Sequence, residues 1–251
     1  MCGVTIGTGL LIIVLSVFNG FFDVIKSILL AQDPDIRIEH TTGSAFSWDE
    51  QQMEELLDYQ EIVIATRFVE GKSLVLRDGS SSENVVIVRG VEPTYFDRLT
   101  ELRDAVSRGS TELEIRDNQP GVLIPARLAS ILRGEVGQDI SLLSAAGMQR
   151  ALTQFSGPRG FNFGIRGVYS LEHIQEEPTV YIDLIAGQRL FNLRNEISGI
   201  DIKLHDHQQA EQVKAMLTEH FGEEYAIQTW YDLQRPLYEV MDLENGAPIL
   251  F

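Results

Sequence analysis

Cysteine is almost absent from this sequence. The single copy, Cys2, sits in an apolar N-terminal stretch, so neither an intrachain disulfide nor a cysteine-based zinc cluster can form. A chain of 251 residues buries an adequate core without disulfides, so this absence leaves the compartment open. Positive charge is also scarce. Twenty Lys and Arg face 37 Asp and Glu, for a formal net charge of −17. That excess of carboxylates removes the basic footprint a nucleic-acid binder needs. It also argues against a face lying flat on anionic headgroups. A well-solvated acidic surface is the plain reading, and an acidic patch meeting a basic partner is the alternative. The phosphate-cradling pattern G-x-x-x-x-G-K-[ST] is missing, as is the nucleophile elbow G-x-S-x-G. Apolar residues at 44% and charged residues at 23% are an ordinary globular mix.

Other patterns that could carry chemistry weaken on inspection. His205-Asp206-His207 supplies two ring nitrogens and a carboxylate, but Asp206 is placed to cap a helix and no third His or Cys lies nearby in sequence. Glu176-Glu177 and Glu223-Glu224 are paired carboxylates in expected turns, where solvated charge is the simpler role. The glycines of GPRGFNFG, residues 157–164, do not lie between a strand and a helix start, as a phosphate site requires. No catalytic residue, metal ligand or cofactor is expected.

What is present begins with the N-terminus. Gly3 to Phe18 carries no charge and is slightly short of the ~20 residues that span a bilayer. It continues into an amphipathic segment with Phe21, Phe22, Ile25, Ile28 and Leu29 on one helical face. A signal peptide would want a basic start and a small-residue cleavage site, and neither is there. A buried globular helix is the second reading, and the end of a transmembrane helix is the reading preferred. Gly3 and Gly7 are spaced for close packing on a neighbouring membrane helix. At the other end Trp230, Leu233, Leu237, Val240 and Met241 form an apolar stripe with a kink expected at Pro236, and the chain ends on APILF. This suits a stalk and the start of a second membrane helix.

Between these ends, two strand–helix–strand patterns lie far apart. Ile36 and Ile38 alternate with Arg37 and Glu39; Ser47 and Glu50 have capping-box spacing before a helix carrying Met53, Leu56 and Leu57; strands follow at 62–66, 73–76 and 84–91, with a turn at DGSSS. Near the end, Ile200, Ile202 and Leu204 alternate with polar residues, Ala210, Val213, Leu217 and Phe221 share a helix face, Gly222 stops that helix, and a strand follows at 225–228. The two units are expected to combine into one split α+β layer. The intervening segment is richer in turns and predicts strands at 121–124, 139–143, 161–168 and 179–182, with helices at 126–132 and 184–193.

Five stretches, IGTGLLIIVLSVFNGF, DPDIRIE, VIVRGVEP, GVLIPARLA and SGIDIKL, occur in order along the chain. In this respect the sequence resembles the lipoprotein-releasing ABC transporter permeases of the LolC/LolE type, within the wider group of MacB and FtsX-like permeases. Asn19-Gly20 and the Arg89 to Pro93 stretch RGVEP are the most specific elements. Ile124-Pro125 and Gly137-Gln138-Asp139 depart from the usual pattern. The resemblance implies an α+β fold: a discontinuous porter-like split βαβ subdomain, 35–90 plus 198–230, with an inserted β-rich, sabre-like subdomain, 91–197. Residues 1–34 and 231–251 would be stalks and parts of membrane helices.

It further implies an inner-membrane protein with its folded domain in the periplasm and no enzymatic activity of its own. The expected partners are an ABC ATPase subunit, a second permease subunit, a periplasmic lipoprotein carrier, the lipoprotein cargo and the membrane, with no nucleic acid. The matching stretch for a carrier-docking loop is 145–160, with Met148, Leu152, Phe155 and Pro158 on a hairpin; an ordinary hairpin tip is the alternative. A related permease that exports small molecules or activates a periplasmic partner is the second functional reading, and a membrane-anchored enzyme the third.

Overall fold

A computed structural model describes residues 34–76, 84–116, 119–153, 160–171 and 178–233. Alternation drives its first strand, β1 (Ile36–His40). Ile36 and Ile38 are fully buried, each contributing about 1.5–3 kcal/mol relative to an exposed position. After β2 (Phe46–Ser47) comes α1 (Glu50–Leu57). The capping box forms two residues later than the Ser47–Glu50 spacing predicts. The Asp49 carboxylate accepts from the Gln52 N–H at 2.8 Å, and the Gln52 side chain accepts from the Asp49 N–H at 3.0 Å. Ser47 cannot cap because it is extended and paired with Glu196. The strand β3 (Ile62–Leu76) is one 15-residue run rather than two pieces, because its middle residues pair without a break with β4 (Asn84–Val91).

The chain continues through α2 (Tyr95–Arg98), α3 (Thr100–Asp104), β5 (Val106–Gly109), β6 (Gly121–Pro125), α4 (Ala126–Leu132) and β7 (Asp139–Ser144). Then follow α5 (Ala145–Thr153), β8 (Phe161–Tyr169), β9 (Thr179–Asp183), α6 (Leu184–Phe191) and β10 (Glu196–Ile197). It ends with β11 (Gly199–Leu204), α7 (Ala210–Phe221) and β12 (Tyr225–Thr229). Gly222 closes α7 at φ 89°, a value that favours glycine.

The strands order as β12-β1-β11-β3, all antiparallel. With α1 and α7 as the connecting helices, this is the ferredoxin-like split βαβ arrangement, so the two distant strand–helix–strand patterns do combine into one layer. Beyond β3 the pairing runs through β4, β9, β6, β8 and β7, and β7 pairs back onto the C-terminal part of β3. Six strands therefore close into a ring, which leaves none of them with a free edge. Strand β3 belongs to both halves: its first residues pair β11, and Ser73–Leu76 pair β7.

Each half has its own core. Ile36, Ile38, Leu56, Ile200, Ile202 and Val213 anchor the split βαβ core. Val75, Val88, Ile124, Phe163, Ile165 and Ile182 anchor the ring. A third cluster, with Phe68, Tyr95, Leu102, Tyr169 and Tyr181, lies on the sheet face opposite the first.

Candidate functional site

Three of the stretches that carry the sequence resemblance, DPDIRIE, VIVRGVEP and SGIDIKL, meet. Arg89 of RGVEP donates from Nη2 to Asp201 Oδ2 of SGIDIKL at 2.7 Å, and from Nη1 to Glu70 Oε2 at 2.7 Å. Arg37 of DPDIRIE donates from Nε to the other Asp201 oxygen at 2.8 Å. Asp201 is 0% exposed and Arg89 is 7% exposed. The Arg89 guanidinium carbon lies 3.9 Å from the centre of the Phe68 ring, a cation–π stack. The Arg89 Nε has no hydrogen-bond partner among the described residues. Burial alone would press this guanidinium toward neutrality; Tyr95, Asp201 and Glu70 outweigh it and hold its pKa above the ordinary arginine value.

The remaining landmark residues also serve the scaffold. A Cβ on Gly90 would lie 2.6 Å from Val69 Cγ2 and 3.1 Å from the Gly187 Cα, so glycine is what lets α6 sit directly on β4. Glu92 accepts from the Arg67 N–H at 2.7 Å and from the Arg67 Nε at 2.9 Å. Asp35 is buried, accepts from the Leu204 N–H at 2.8 Å and pairs with Lys203 Nζ at 3.2 Å. In GVLIPARLA, all five residues of β6 are buried. The landmarks among the described residues thus specify an architecture.

The 145–160 stretch joins β7 to β8, which pair as the arms of an antiparallel hairpin with Leu142 opposite Phe161. The hairpin expectation for the stretch itself needs correction, because its first nine residues are the helix α5. Ser144 explains the start: its Oγ accepts from the Gly147 N–H at 3.2 Å and donates to the Leu190 carbonyl at 2.6 Å. Met148 is 41% exposed on this helix. Leu152 lies within the same helix. Phe155 and Pro158 fall outside the described residues, as do Gly3, Gly7 and the rest of residues 1–33 and 234–251; Trp230, the first residue of the C-terminal stripe, packs against the split βαβ core.

A sequence model of the MacB-like periplasmic core domain matches residues 1–220. The chain belongs to that family. Among relatives of this MacB-like domain, the lipoprotein-releasing system transmembrane protein LolC of Neisseria meningitidis is 25% identical over 259 residues, covering 98% of this chain and 58% of that protein. LolE of Haemophilus influenzae is 24% identical over 235 residues, covering 91% and 54%. The chain therefore spans between half and two thirds of the length of these two relatives. The crystal structure of the periplasmic region of MacB from Actinobacillus actinomycetemcomitans shares the fold, with a TM-score of 0.53 at 11% identity, covering 84% of this chain and 95% of that one. The LolC/LolE-type, MacB-like resemblance read from the five landmarks is borne out.

Elsewhere on the MacB-like domain, no group of three or more His, Cys, Asp or Glu side chains is placed to hold a metal among the described residues. Asp206 caps the short turn at His207–Gln209, accepting from the Gln208 N–H at 3.0 Å. The backbone N–H of His205 donates to the Glu61 carbonyl at 2.9 Å. Phe161 to Gly164 of the glycine-rich stretch lie in β8. The backbone carbonyls of Glu223 and Glu224 receive the Thr41 side chain and N–H respectively, fastening the turn before β12. Among the described residues, no helix is long and apolar enough to cross a membrane. Sequence reasoning placed Asp201 on the polar side of an alternating strand; the signal it missed is that Arg89 and Asp201 sit in separate landmarks and need each other.

Proposed function

We propose that this chain is the extracytoplasmic part of an ABC transporter permease that couples ATP hydrolysis in a separate subunit to release of lipoproteins from the inner membrane. On this reading, residues 35–90 plus 198–230 form the porter-like unit, residues 91–197 are the insertion, and the two ends belong to stalks and membrane helices. The chain itself has no catalytic role. It works with an ATPase, a second permease subunit and a periplasmic carrier that takes the lipoprotein. The observation that carries the reading is the excursion at 145–160. It leaves the hairpin of β7 and β8 as a helix tied at its start by Ser144 and presents Met148 to solvent. The names of the relatives add support. Met148, Leu152, Phe155 and Pro158 are assigned as the docking residues.

The test uses the full-length protein in detergent with its own ATPase and the periplasmic lipoprotein carrier of the same organism. Capture of the carrier, lost in the Phe155→Ala, Pro158→Ala double variant, is the expected result. Failure of the intact protein to bind the carrier moves the assignment to a cargo-facing subunit or to a permease that exports small molecules or activates a periplasmic partner. Failure of any ATPase subunit to co-purify overturns the reading altogether.

A further inference from the structure

The end of β4 and the start of α6 frame a cleft on the ring, away from the docking helix. Val91 and Asp183, opposite each other in the β4–β9 pairing, contribute to it, with Pro93, Phe96, Leu113 and Glu114. Its floor is apolar and well packed, since Val91, Phe96 and Leu113 are all buried. One wall, residues 111–116, is held in place: the Gly121 N–H donates to the Leu113 carbonyl at 3.0 Å, and Arg116 and Gln119 exchange backbone hydrogen bonds at 3.1 and 3.0 Å. The cleft measures about 220 Å³, below the roughly 300–1,000 Å³ of small-molecule sites. That is room for a single large side chain, which favours a protein loop over a metabolite.

The rim defines the chemistry of that side chain. Among the described residues that line the cleft the one cation, Arg116, is already paired with Glu112. Glu114 is exposed and makes no ion pair among the described residues. Asp183 uses Oδ1 to cap α6, accepting from the Ile185 and Ala186 N–H groups at 3.0 and 3.2 Å, which leaves Oδ2 uncommitted. Two large exposed apolar side chains are close chain neighbours of the lining residues: Ile115, 48% exposed, lies between Glu114 and Arg116, and Ile185, 54% exposed, lies two residues after Asp183. Either alone would be unremarkable; here both sit beside the carboxylates that line one cleft.

We propose that this cleft is a docking site for a protein loop presenting an arginine or lysine between apolar side chains. The alkyl stem lies on Phe96 and Leu113, the cationic head reaches Glu114 and Asp183, and the flanking side chains cover Ile115 and Ile185. The site is separate from the 145–160 loop. It sits at the N-terminus of α6, whereas Ser144 holds Leu190 at the other end of that eight-residue helix, about 12 Å away. It does not rest on the lipoprotein reading.

The test uses the whole chain in detergent micelles with ¹³C-labelled isoleucine methyl groups. The probes are the capped peptides Ser-Leu-Arg-Leu-Ser and Ser-Leu-Gln-Leu-Ser. The arginine peptide is expected to shift the Ile115 and Ile185 methyl resonances saturably and to bind about two- to fivefold more tightly than the glutamine peptide, the range open to exposed charge pairs. Glu114→Gln, an exposed substitution that leaves the fold intact, should reduce that preference by at least half, and about 1 M salt should erase most of it. Unmoved Ile115 and Ile185 methyls, equal binding of the two peptides, or a preference untouched by Glu114→Gln would each overturn the proposal.

Discussion

Asp201 is fully buried between two guanidinium groups, Arg37 at 2.8 Å and Arg89 at 2.7 Å. Charge in such a place is costly unless matched, and matching is what the neighbouring strands provide. Asp201→Ala takes from both arginines their one buried carboxylate and leaves only the more exposed Glu70 and Glu39 beside them, so its unfolding free energy should fall by about 3–5 kcal/mol, read from urea denaturation followed by tryptophan fluorescence. Replacing the group together, with Arg37→Met, Asp201→Leu and Arg89→Met, should cost far less than the single change. A triple variant as damaged as Asp201→Ala would show that the network does more than compensate its own burial. Asp232 offers a milder case. Burial pushes its carboxyl up, but Lys214 at 2.6 Å and the Thr229 N–H at 3.0 Å bring it below the usual aspartate value. A depressed folded pKa adds stability above the unfolded value near 3.8, and that stability drains away as pH falls through the folded pKa. Asp232→Asn should therefore flatten the acid side of the stability–pH curve below about pH 4 and leave the neutral-to-basic side parallel to the parent.

At the level of elements, strict alternation makes β1 and β11 legible, and helical spacing makes α1 and α7 legible, because each has a buried face backed by one core. The two-residue strands β2 and β10 carry no periodicity to read; only the Ser47–Glu196 and Phe46–Ile197 pairing defines them. The helix α5 had a signal. Ser144 stands before Ala-Ala-Gly-Met-Gln-Arg-Ala-Leu, a run mostly of good helix formers behind a capping residue, but the flanking strands and the glycines further on point to a plain hairpin. The α6 seam is where packing is tightest. A Cβ at Gly187 would stand 2.5 Å from Val69 Cγ2 and 3.1 Å from the Gly90 Cα. Gly90→Ala and Gly187→Ala are each expected to cost about 1–3 kcal/mol through overpacking. Since Val69 Cγ2 is the nearest atom in both cases, adding Val69→Ala should recover part of the loss, measured as non-additivity in a double-mutant cycle. Strict additivity would mean that the backbone contact, and not Val69, is the obstacle.

The whole molecule turns on β3, which gives one end to an open four-stranded layer and the other to a closed ring. No local pattern announces that closure, because each strand shows only its own alternation and the partner of β7 lies more than 60 residues away. Charge follows the same division. Residues 34–90 and 198–233 hold seven Lys and Arg against eighteen Asp and Glu, whereas residues 91–197 hold eleven against fourteen. Among the described residues, the cations of the first group are committed: Arg37, Arg67, Arg89, Lys203 and Lys214 all sit in ion pairs, and Lys72 is engaged as well. The uncompensated carboxylates of the split βαβ half, such as Glu54, Asp58, Glu61 and Glu219, are exposed or half-exposed and repel one another. Added salt screens exposed charges over a Debye length of about 8 Å at physiological strength but barely reaches the buried Arg89–Asp201 pair. Stability should therefore rise with salt. Between about 10 and 150 mM the melting temperature is expected to increase by about 2–4 °C, corresponding to roughly 1 kcal/mol for a domain of this size. Glu54→Gln, Glu61→Gln, Glu219→Gln should raise the low-salt value and shrink the salt increment together. A melting temperature that falls with salt would mean that exposed ion pairs stabilise this domain more than its surplus acid destabilises it.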